Sequence, residues 1–125
     1  MDDNEAKRIP DDLLYVENKD GSVRHPATYD EWFGREPFRI LHFVGDVDNI
    51  NKGALVSTVF LGMDHNWMRS GEPLLYETAI SIVGCGIDVV ERYRTREEAA
   101  LGHAEHLNRM VARFGGVARN LSPER

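Results

Sequence analysis

Residues 56–78, VSTVFLGMDHNWMRSGEPLLYET, contain two β-prone runs joined by a polar loop. Valine, threonine and aromatic residues, which favour strands, fill both runs. The loop spans about ten residues, which is longer than most hairpin loops, and loops of that length inside compact domains are often functional. We therefore expect an antiparallel strand pair, and a candidate site at the start of the loop formed by Asp64, His65, Asn66 and Trp67.

Further strands are expected on both sides of this pair. The strand candidates span residues 38–44, 55–62, 74–84 and 87–94. They are rich in β-branched and aromatic residues, and the short turn at Gly84-Cys85-Gly86 favours an antiparallel meander. The polar segment GDVDNINKGA (45–54) predicts a loop between the first two strands.

A hairpin and a short helix are predicted before the meander. Asp20 and Gly21 tolerate positive φ between two short β-prone runs, which is typical of a hairpin turn. Thr28 stands three residues before Glu31. This is the spacing of a capping box, and it predicts a short helix over 29–33.

A long helix is predicted after the last strand. Thr95 and Glu98 repeat the capping-box spacing, and Gly115-Gly116 ends the segment. Apolar residues recur in steps of four and three, which is one helical stripe. The stripe consists of Ala100, Ala104, Leu107, Val111 and Phe114. We expect it to cover the sheet.

Together these elements predict an α+β fold: an antiparallel β-meander sheet with an N-terminal hairpin, a short helix and a long C-terminal helix packed on the sheet. The chain has 125 residues, which fits one domain. Residues 1–12 are predicted to form a mobile acidic tail, residues 13–116 the single domain, and residues 117–125 a C-terminal tail.

Charge and composition argue against several functional classes. The net charge of −6 disfavours direct binding to nucleic acid, because that affinity depends on Lys and Arg neutralising phosphates. No apolar run is long enough to cross a membrane, and the acidic N-terminus lacks the core of a secretory signal. The single cysteine, Cys85, cannot form an intrachain disulfide. We therefore expect a cytoplasmic protein without membrane or nucleic-acid partners.

Three more polar residues could converge on the loop that begins at Asp64. Alternation along the following strand places Glu77 on a face shared with apolar residues, where a carboxylate needs a partner such as His65 or Arg92. His103 lies about 60° from the centre of the helix stripe, so it could reach the rim of the sheet. The predicted ligand-binding residues are Asp64, His65, Asn66, Trp67, Glu77, Arg92 and His103.

This cluster has three interpretations from sequence. It could bind a ligand or partner, it could be a metal or acid–base site built from Asp64, His65, Glu77 and His103, or its residues could only brace the loop. No metal-binding or phosphate-loop motif is present, so we expect neither a metal nor a cofactor. His106 lies about 120° from the stripe centre and is predicted to face solvent.

Three segments carry a family resemblance: VSTVFLGMDHN (56–66), GEPLLYET (71–78) and ERYRTREEAALGHAEHLNRMV (91–111). They resemble a group of short proteins encoded by tailed bacteriophages and prophages, over residues 13–114. The chain departs from the group at WMRSGE (67–72), where the group is richer in glycine, and at AISIVG (79–84). The resemblance implies an origin and an architecture rather than an activity.

The resemblance, the acidity and the small size together predict a non-enzymatic accessory protein in the cytoplasm of a bacterial host. We expect it to bind a host protein or a small nucleotide-like molecule and so to blunt host defence. The first alternative is a small metal-assisted hydrolase that uses Asp64, His65, Glu77 and His103. The second is a structural or assembly protein that forms homo-oligomers through a sheet edge.

Overall fold

The computed structural model describes residues 10–46, 48–67 and 71–123. They form an α+β domain, as the sequence predicts. After a 3-10 helix at Asp11–Leu13, the strands are β1 (Val16–Glu17), β2 (Val23–Arg24), β3 (Arg39–Asp46), β4 (Asn49–Phe60), β5 (Tyr76–Ile82), β6 (Gly86–Tyr93) and β7 (Val117–Asn120). The helices are α1 (Tyr29–Phe33) and α2 (Arg96–Phe114).

The strands form two antiparallel sheets. Strands β1 and β2 make the predicted N-terminal hairpin, and the other five form one sheet in the order β6-β5-β4-β3-β7. The predicted meander from β3 to β6 is confirmed. Strand β7 joins the free edge of β3 after α2.

One face of the central strands is buried under α2. Val56 of β4 lies opposite Ile80 of β5, and Thr58 lies opposite Thr78. All four side chains are buried, because α2 packs on this face. The apolar cluster at the C-terminal half of α2 contains Ala54, Val56, Ile80, Ile82, Leu107, Met110 and Phe114.

A second apolar cluster lies where the hairpin meets the start of α2. Its buried members are Phe60, Leu75, Tyr76, Tyr93 and Ala99. Glu17 of β1 accepts hydrogen bonds from Tyr76 Oη at 2.9 Å and from Arg96 Nη2 at 2.6 Å. The Glu17 side chain is largely buried, so these bonds hold the hairpin against the sheet and α2.

Both helices begin at the predicted caps. The Glu31 amide donates to Thr28 Oγ1, and the Glu98 amide donates to Thr95 Oγ1, each at 3.1 Å. Helix α2 ends at Gly115, whose φ of 65° is left-handed and favours glycine. In the described part of the chain, neither helix has the length and apolar content needed to cross a membrane.

The predicted apolar stripe of α2 is rotated from the face that contacts the sheet. Ala100 and Ala104 are exposed, whereas Leu107 and Phe114 pack on the core as predicted. The buried residues of α2 are Ala99, Gly102, His103 and His106. The prediction that His106 faces solvent is therefore wrong. Histidines can enter this interface because the sheet supplies polar partners for their ring nitrogens.

The loop predicted over 45–54 is mostly strand. Strand β3 continues to Asp46, and β4 begins at Asn49. Gly45 and Gly53 lie opposite each other, and a Cβ on Gly53 would lie 2.6 Å from the carbonyl oxygen of Val44. The two glycines therefore let the strands pair closely beyond the buried core, where polar residues remain in solvent.

The segment predicted as a C-terminal tail contains a strand. Strand β7 pairs with β3 between His42 and Gly45, and the Leu121 amide donates to the Leu41 carbonyl at 2.8 Å. All four residues of β7 are exposed, so its sequence lacks the alternation that marks a half-buried strand. Residues 1–9 of the predicted N-terminal tail lie outside the described residues.

Candidate functional site

Asp64 braces the loop between β4 and β5. Its side chain is buried, and Oδ1 accepts hydrogen bonds from the Asn66 amide at 2.7 Å and the Leu74 amide at 3.0 Å. The Asp64 amide donates to the Leu13 carbonyl. The bond from the Asn66 amide forms an Asx turn, and the bond from the Leu74 amide fixes the far end of the loop. These contacts match the loop-bracing interpretation.

The next three residues lie along the loop. His65 Nδ1 donates to the Met63 carbonyl at 2.8 Å, and Asn66 Nδ2 donates to the Glu72 carbonyl at 3.2 Å. The Trp67 side chain is 63% exposed, and its ring centroid lies 5.2 Å from that of His65. Trp67 is therefore a surface residue rather than part of the core.

Glu77 and His103 lie on opposite faces of the sheet. Arg92 Nε donates to Glu77 Oε2 at 3.1 Å, so Glu77 has one of the partners that the sequence suggests. Glu77 alternates with Thr78, which faces α2, and therefore projects from the other face. His103 is 3% exposed beneath α2 and contacts Thr58.

The structure therefore does not bring the predicted residues into one site. In the described ranges, no hydrogen bond or ion pair joins Asp64 or His65 to Glu77, Arg92 or His103. Among the same residues, no group of three or more His, Cys, Asp or Glu side chains is placed to hold a metal ion. The predicted cluster separates into the loop, the Glu77–Arg92 pair and His103.

His103 belongs instead to a chain of hydrogen bonds between α2 and the sheet. We call this chain the polar relay; its members are His42, His103, Thr58, Thr78, Tyr93, Glu91 and His106. From His42 to Glu91, successive donor–acceptor distances are 2.9, 2.7, 2.5, 2.9 and 3.2 Å. His106 Nε2 lies 2.9 Å from Glu91 Oε1. The relay links α2 to four neighbouring strands.

The acidic end of the polar relay sets the direction of its bonds. An ionised Glu91 carboxylate can only accept, so the tyrosine donates to it. Each hydroxyl carries one hydrogen, so Thr78 donates to the tyrosine and Thr58 donates to Thr78. Thr58 must then accept from His103 Nδ1, which leaves His103 Nε2 to accept from His42 Nδ1. His103 is therefore neutral, with its hydrogen on Nδ1, and His42 also carries a hydrogen on Nδ1.

Burial disfavours the charged form of both histidines. Burial, followed by the positive charges that His42 and His106 can carry, lowers the pKa of His103 to about 4. Burial also lowers the pKa of His42. Both effects disfavour the charged imidazole at neutral pH, in agreement with the direction of the hydrogen bonds.

A cleft of about 710 Å³ opens between the hairpin, the segment around α1 and the start of α2. Val16, Phe38 and Phe60 give it an apolar floor, and its walls carry four basic and three acidic side chains. Pockets for small molecules usually measure about 300–1,000 Å³ and combine apolar walls with a few polar groups. The cleft has the size of such a pocket, and eight of its eleven lining residues are polar or charged, so it suits a charged rather than an apolar ligand.

Two of the cleft's carboxylates already have arginine partners. Arg24 Nη1 lies 2.8 Å from Glu31 Oε1, and Arg96 Nη2 lies 2.6 Å from Glu17 Oε2. The hydrogen bond from Arg24, together with one from the Ala27 amide, lowers the pKa of Glu31 to about 2. These pairs neutralise much of the charge on the cleft walls.

Two basic side chains of the cleft, Arg35 and Lys19, have no carboxylate partner among the described residues. Arg35 donates to the carbonyls of Trp32 and Leu61 at 2.8 and 3.1 Å, and its buried Nε has no partner there. Burial lowers the pKa of Arg35, but an arginine stays charged at neutral pH. The cleft therefore has positive charge available for an anionic group.

Sequence reasoning missed both the cleft and the polar relay. The cleft residues come from the hairpin, α1, β4 and α2, so no local motif contains them. The spacing of His103 and His106 on α2 was the one available signal of the relay. It was ambiguous because a histidine close to an apolar stripe can turn toward the core or toward solvent.

Comparison with known proteins gives no match to a family model, a curated protein sequence or a solved structure.

Proposed function

We propose that the chain is a non-enzymatic binding protein whose cleft takes a small anionic molecule of the nucleotide class. The observation that supports this is the cleft of about 710 Å³, in which Arg35 and Lys19 lack carboxylate partners among the described residues. Phosphate oxygens form strong charge-assisted hydrogen bonds with such cations.

The floor of the cleft suits the remainder of such a ligand. Phe38 is the partly exposed aromatic residue of the lining, on which a planar ring can pack, whereas Val16 and Phe60 are 4% and 2% exposed. Arg96 lies 4.6 Å from the Phe38 ring centroid, so a cation is already stacked there. Asn18 adds an amide with both donor and acceptor groups.

The resemblance to bacteriophage and prophage proteins supports a role in the cytoplasm of a bacterial host. A protein that sequesters a nucleotide signal would blunt a host defence that depends on that signal. A metal-assisted hydrolase receives no specific support, because Glu77 and His103, two of its four proposed residues, project from opposite faces of the sheet.

Calorimetry with the full chain tests the proposal. The probes are nucleoside mono-, di- and triphosphates and inorganic pyrophosphate, at low ionic strength. We expect at least one nucleotide to bind with Kd below ~1 mM and more weakly as salt is raised, because charges at an open cleft are screened. Chromatography of the recovered nucleotide should show it intact.

Two lysine variants provide a matched pair. Lys19→Ala should weaken nucleotide binding about fivefold or more, the effect of losing roughly 1 kcal/mol of charge-assisted contact. Lys52→Ala removes an exposed lysine of β4 outside the cleft lining and should leave binding unchanged. Absence of nucleotide binding, or equal effects of the two substitutions, would refute the proposed function.

A further inference from the structure

The polar relay connects two groups that reach solvent through members that do not. Thr58 and Thr78 are fully buried, and Tyr93 is 5% exposed. At one end, His42 on β3 is only partly buried. At the other end, the Glu91 side chain on β6 is 47% exposed. The relay is therefore a continuous path of hydrogen bonds through the interior, open to solvent at both ends.

Helix α2 makes room for this path at Gly102. A Cβ on Gly102 would overlap the Tyr93 ring and its hydroxyl oxygen. A larger residue would therefore displace the phenol that bonds both Thr78 and Glu91. The missing side chain at this position lets Tyr93 lie beneath α2 and keeps the relay continuous.

The hydrogen bonds of the relay share one direction. Each buried hydroxyl and the His103 ring can donate and accept, so the direction of one bond fixes that of the next. In the direction assigned above, the hydrogens point from His42 toward Glu91. In the opposite direction, each hydroxyl keeps its hydrogen but turns it to its other neighbour, and His103 exchanges the hydrogen on Nδ1 for one on Nε2. His42 Nδ1 must then accept, so the His42 ring holds its hydrogen on Nε2 alone.

We propose that the polar relay couples its two ends: the group at position 91 sets the direction of the bonds, and that direction decides whether His42 can take up a proton. An acceptor at Glu91 leaves His42 Nδ1 as a donor, which both the neutral ring and the imidazolium satisfy. A donor at that end, such as the protonated Glu91 carboxyl, reverses the bonds and restricts His42 to the neutral ring. The relay thus carries a change at β6 across the sheet to β3.

The strand register separates this coupling from a direct effect of charge. A straight row of paired residues runs from Asp88 on β6 to His42 on β3. Glu91 lies in a different row, whose member on β3 is Ile40. Three strand spacings of ~4.8 Å separate β6 from β3 by roughly 14 Å. Salt screens exposed charges beyond ~8 Å, and by position in the sheet any remaining direct effect on His42 should be larger from Asp88 than from Glu91.

Among the described residues, titratable groups face the relay from β3, β6 and α2. They are His42, Asp88, Glu91, Tyr93, His103, Glu105 and His106. Strands β4 and β5 supply the two uncharged threonines, and β7 places Asn120 opposite His42. His106 bonds the same Glu91 oxygen as Tyr93, so it lies beside the path and reaches it through Glu91.

NMR of ¹⁵N in the histidine rings of the full chain tests the coupling. Glu91→Lys replaces an acceptor by an ammonium group that can only donate. His103 should then carry its hydrogen on Nε2 in place of Nδ1, and His42 should take up its second proton only at lower pH than in the wild type. The matched control is Asp88→Lys, which makes the same change of charge on the same exposed strand and should leave the His103 tautomer unchanged.

Two further variants cover a local distortion by the lysine. Glu91→Gln keeps the shape but can donate or accept, so both His103 tautomers should appear. Thr78→Val interrupts the path, and in that background Glu91→Lys should no longer alter the His103 ring spectrum. Circular dichroism identifies which variants are folded.

Two results would overturn the proposal. One is a folded Glu91→Lys or Glu91→Gln variant in which His103 keeps its hydrogen on Nδ1 alone. The other is an effect of Asp88→Lys on His103 equal to that of Glu91→Lys. Nucleotide binding in the cleft can succeed or fail independently, because the cleft and the polar relay share no residue.

Discussion

The imidazole of His103 is 3% exposed, and it lies where an unpaired polar group would be costly. It is accommodated because both ring nitrogens have partners, Thr58 Oγ1 at 2.7 Å and His42 Nδ1 at 2.9 Å. Within the described chain, Thr58 carries the hydroxyl that is hydrogen-bonded to His103. Whether His103 Nδ1 keeps a hydrogen-bond partner beneath α2 therefore depends on the hydroxyl of one threonine.

Replacing Thr58 separates the effect of the hydroxyl from that of shape. Thr58→Val keeps the shape but leaves His103 Nδ1 without its acceptor and Thr78 with only Tyr93 as a partner, and should reduce the free energy of unfolding by about 1–3 kcal/mol. Thr58→Ser keeps the hydroxyl and should preserve the Nδ1-protonated form of His103. Urea unfolding and ¹⁵N NMR of the His103 ring measure both effects. An unchanged ring spectrum in Thr58→Val would contradict the direction assigned to the polar relay.

The candidate site could be predicted from sequence only in part. The sequence identifies Asp64 as a residue with a role in its loop, and it names Arg92 among the partners of Glu77. It cannot distinguish an aspartate that binds a ligand from one that caps Asn66 and Leu74, because both occur in polar loops after strands. Arg35 was missed because its role in the cleft depends on residues distant in the chain.

Helix α2 shows how packing differs from a pattern of apolar residues. The predicted stripe treated His103 and His106 as polar and therefore placed Ala100 and Ala104 on the buried face. In the structure the histidines are buried and the two alanines are exposed. Leu107 lies on the buried face both in the predicted stripe and in the structure, where it packs with the apolar cluster of β4 and β5.

Two leucines on α2 test this orientation. Leu107→Ala should reduce the free energy of unfolding by about 2 kcal/mol, the lower end for such substitutions, because Leu107 is only partly buried. Leu101→Ala, at a 70% exposed position, should change it by less than about 0.5 kcal/mol. Denaturant titration gives both values. Equal losses would mean that α2 is docked in another rotation.

Strands and helix starts were predictable where local chemistry determines them. The caps at Thr28 and Thr95 depend only on residues three positions apart, and both are confirmed. Strand β7 was not predictable, because it is held by pairing with β3 rather than by its own apolar pattern. The extension of β3 and β4 depends on the close approach of Gly45 and Gly53, which a polar sequence does not reveal.

The stability of the whole domain should fall as pH decreases below about 6.5. The pKa of His103 is about 4 in the folded chain, against an ordinary value of 6.5. The unfolded chain therefore binds this proton first, and between these pH values folding stability rises with pH. The stabilisation is fully present above pH 6.5 and is lost as the pH falls toward about 4.

Urea unfolding at several pH values between about 4.5 and 7.5 measures this dependence. His103→Gln should flatten the slope, because glutamine does not titrate in this range. The wild-type chain gives the reference slope. A slope that His103→Gln leaves unchanged would assign the pH dependence to other groups.

The bond between Thr58 and Thr78 also bears on how accurately the chain folds. If β5 slipped by two residues against β4, every side chain would return to its own face, so alternation alone would not oppose the error. Thr58 would then lie opposite Tyr76 or Ile80 in place of Thr78. The threonine hydroxyl would lose its partner in the buried layer, and the polar relay would be interrupted at this point. The cost of these lost hydrogen bonds, about 1–3 kcal/mol for each unsatisfied group, opposes a misregistered sheet that hydrophobic burial would accept.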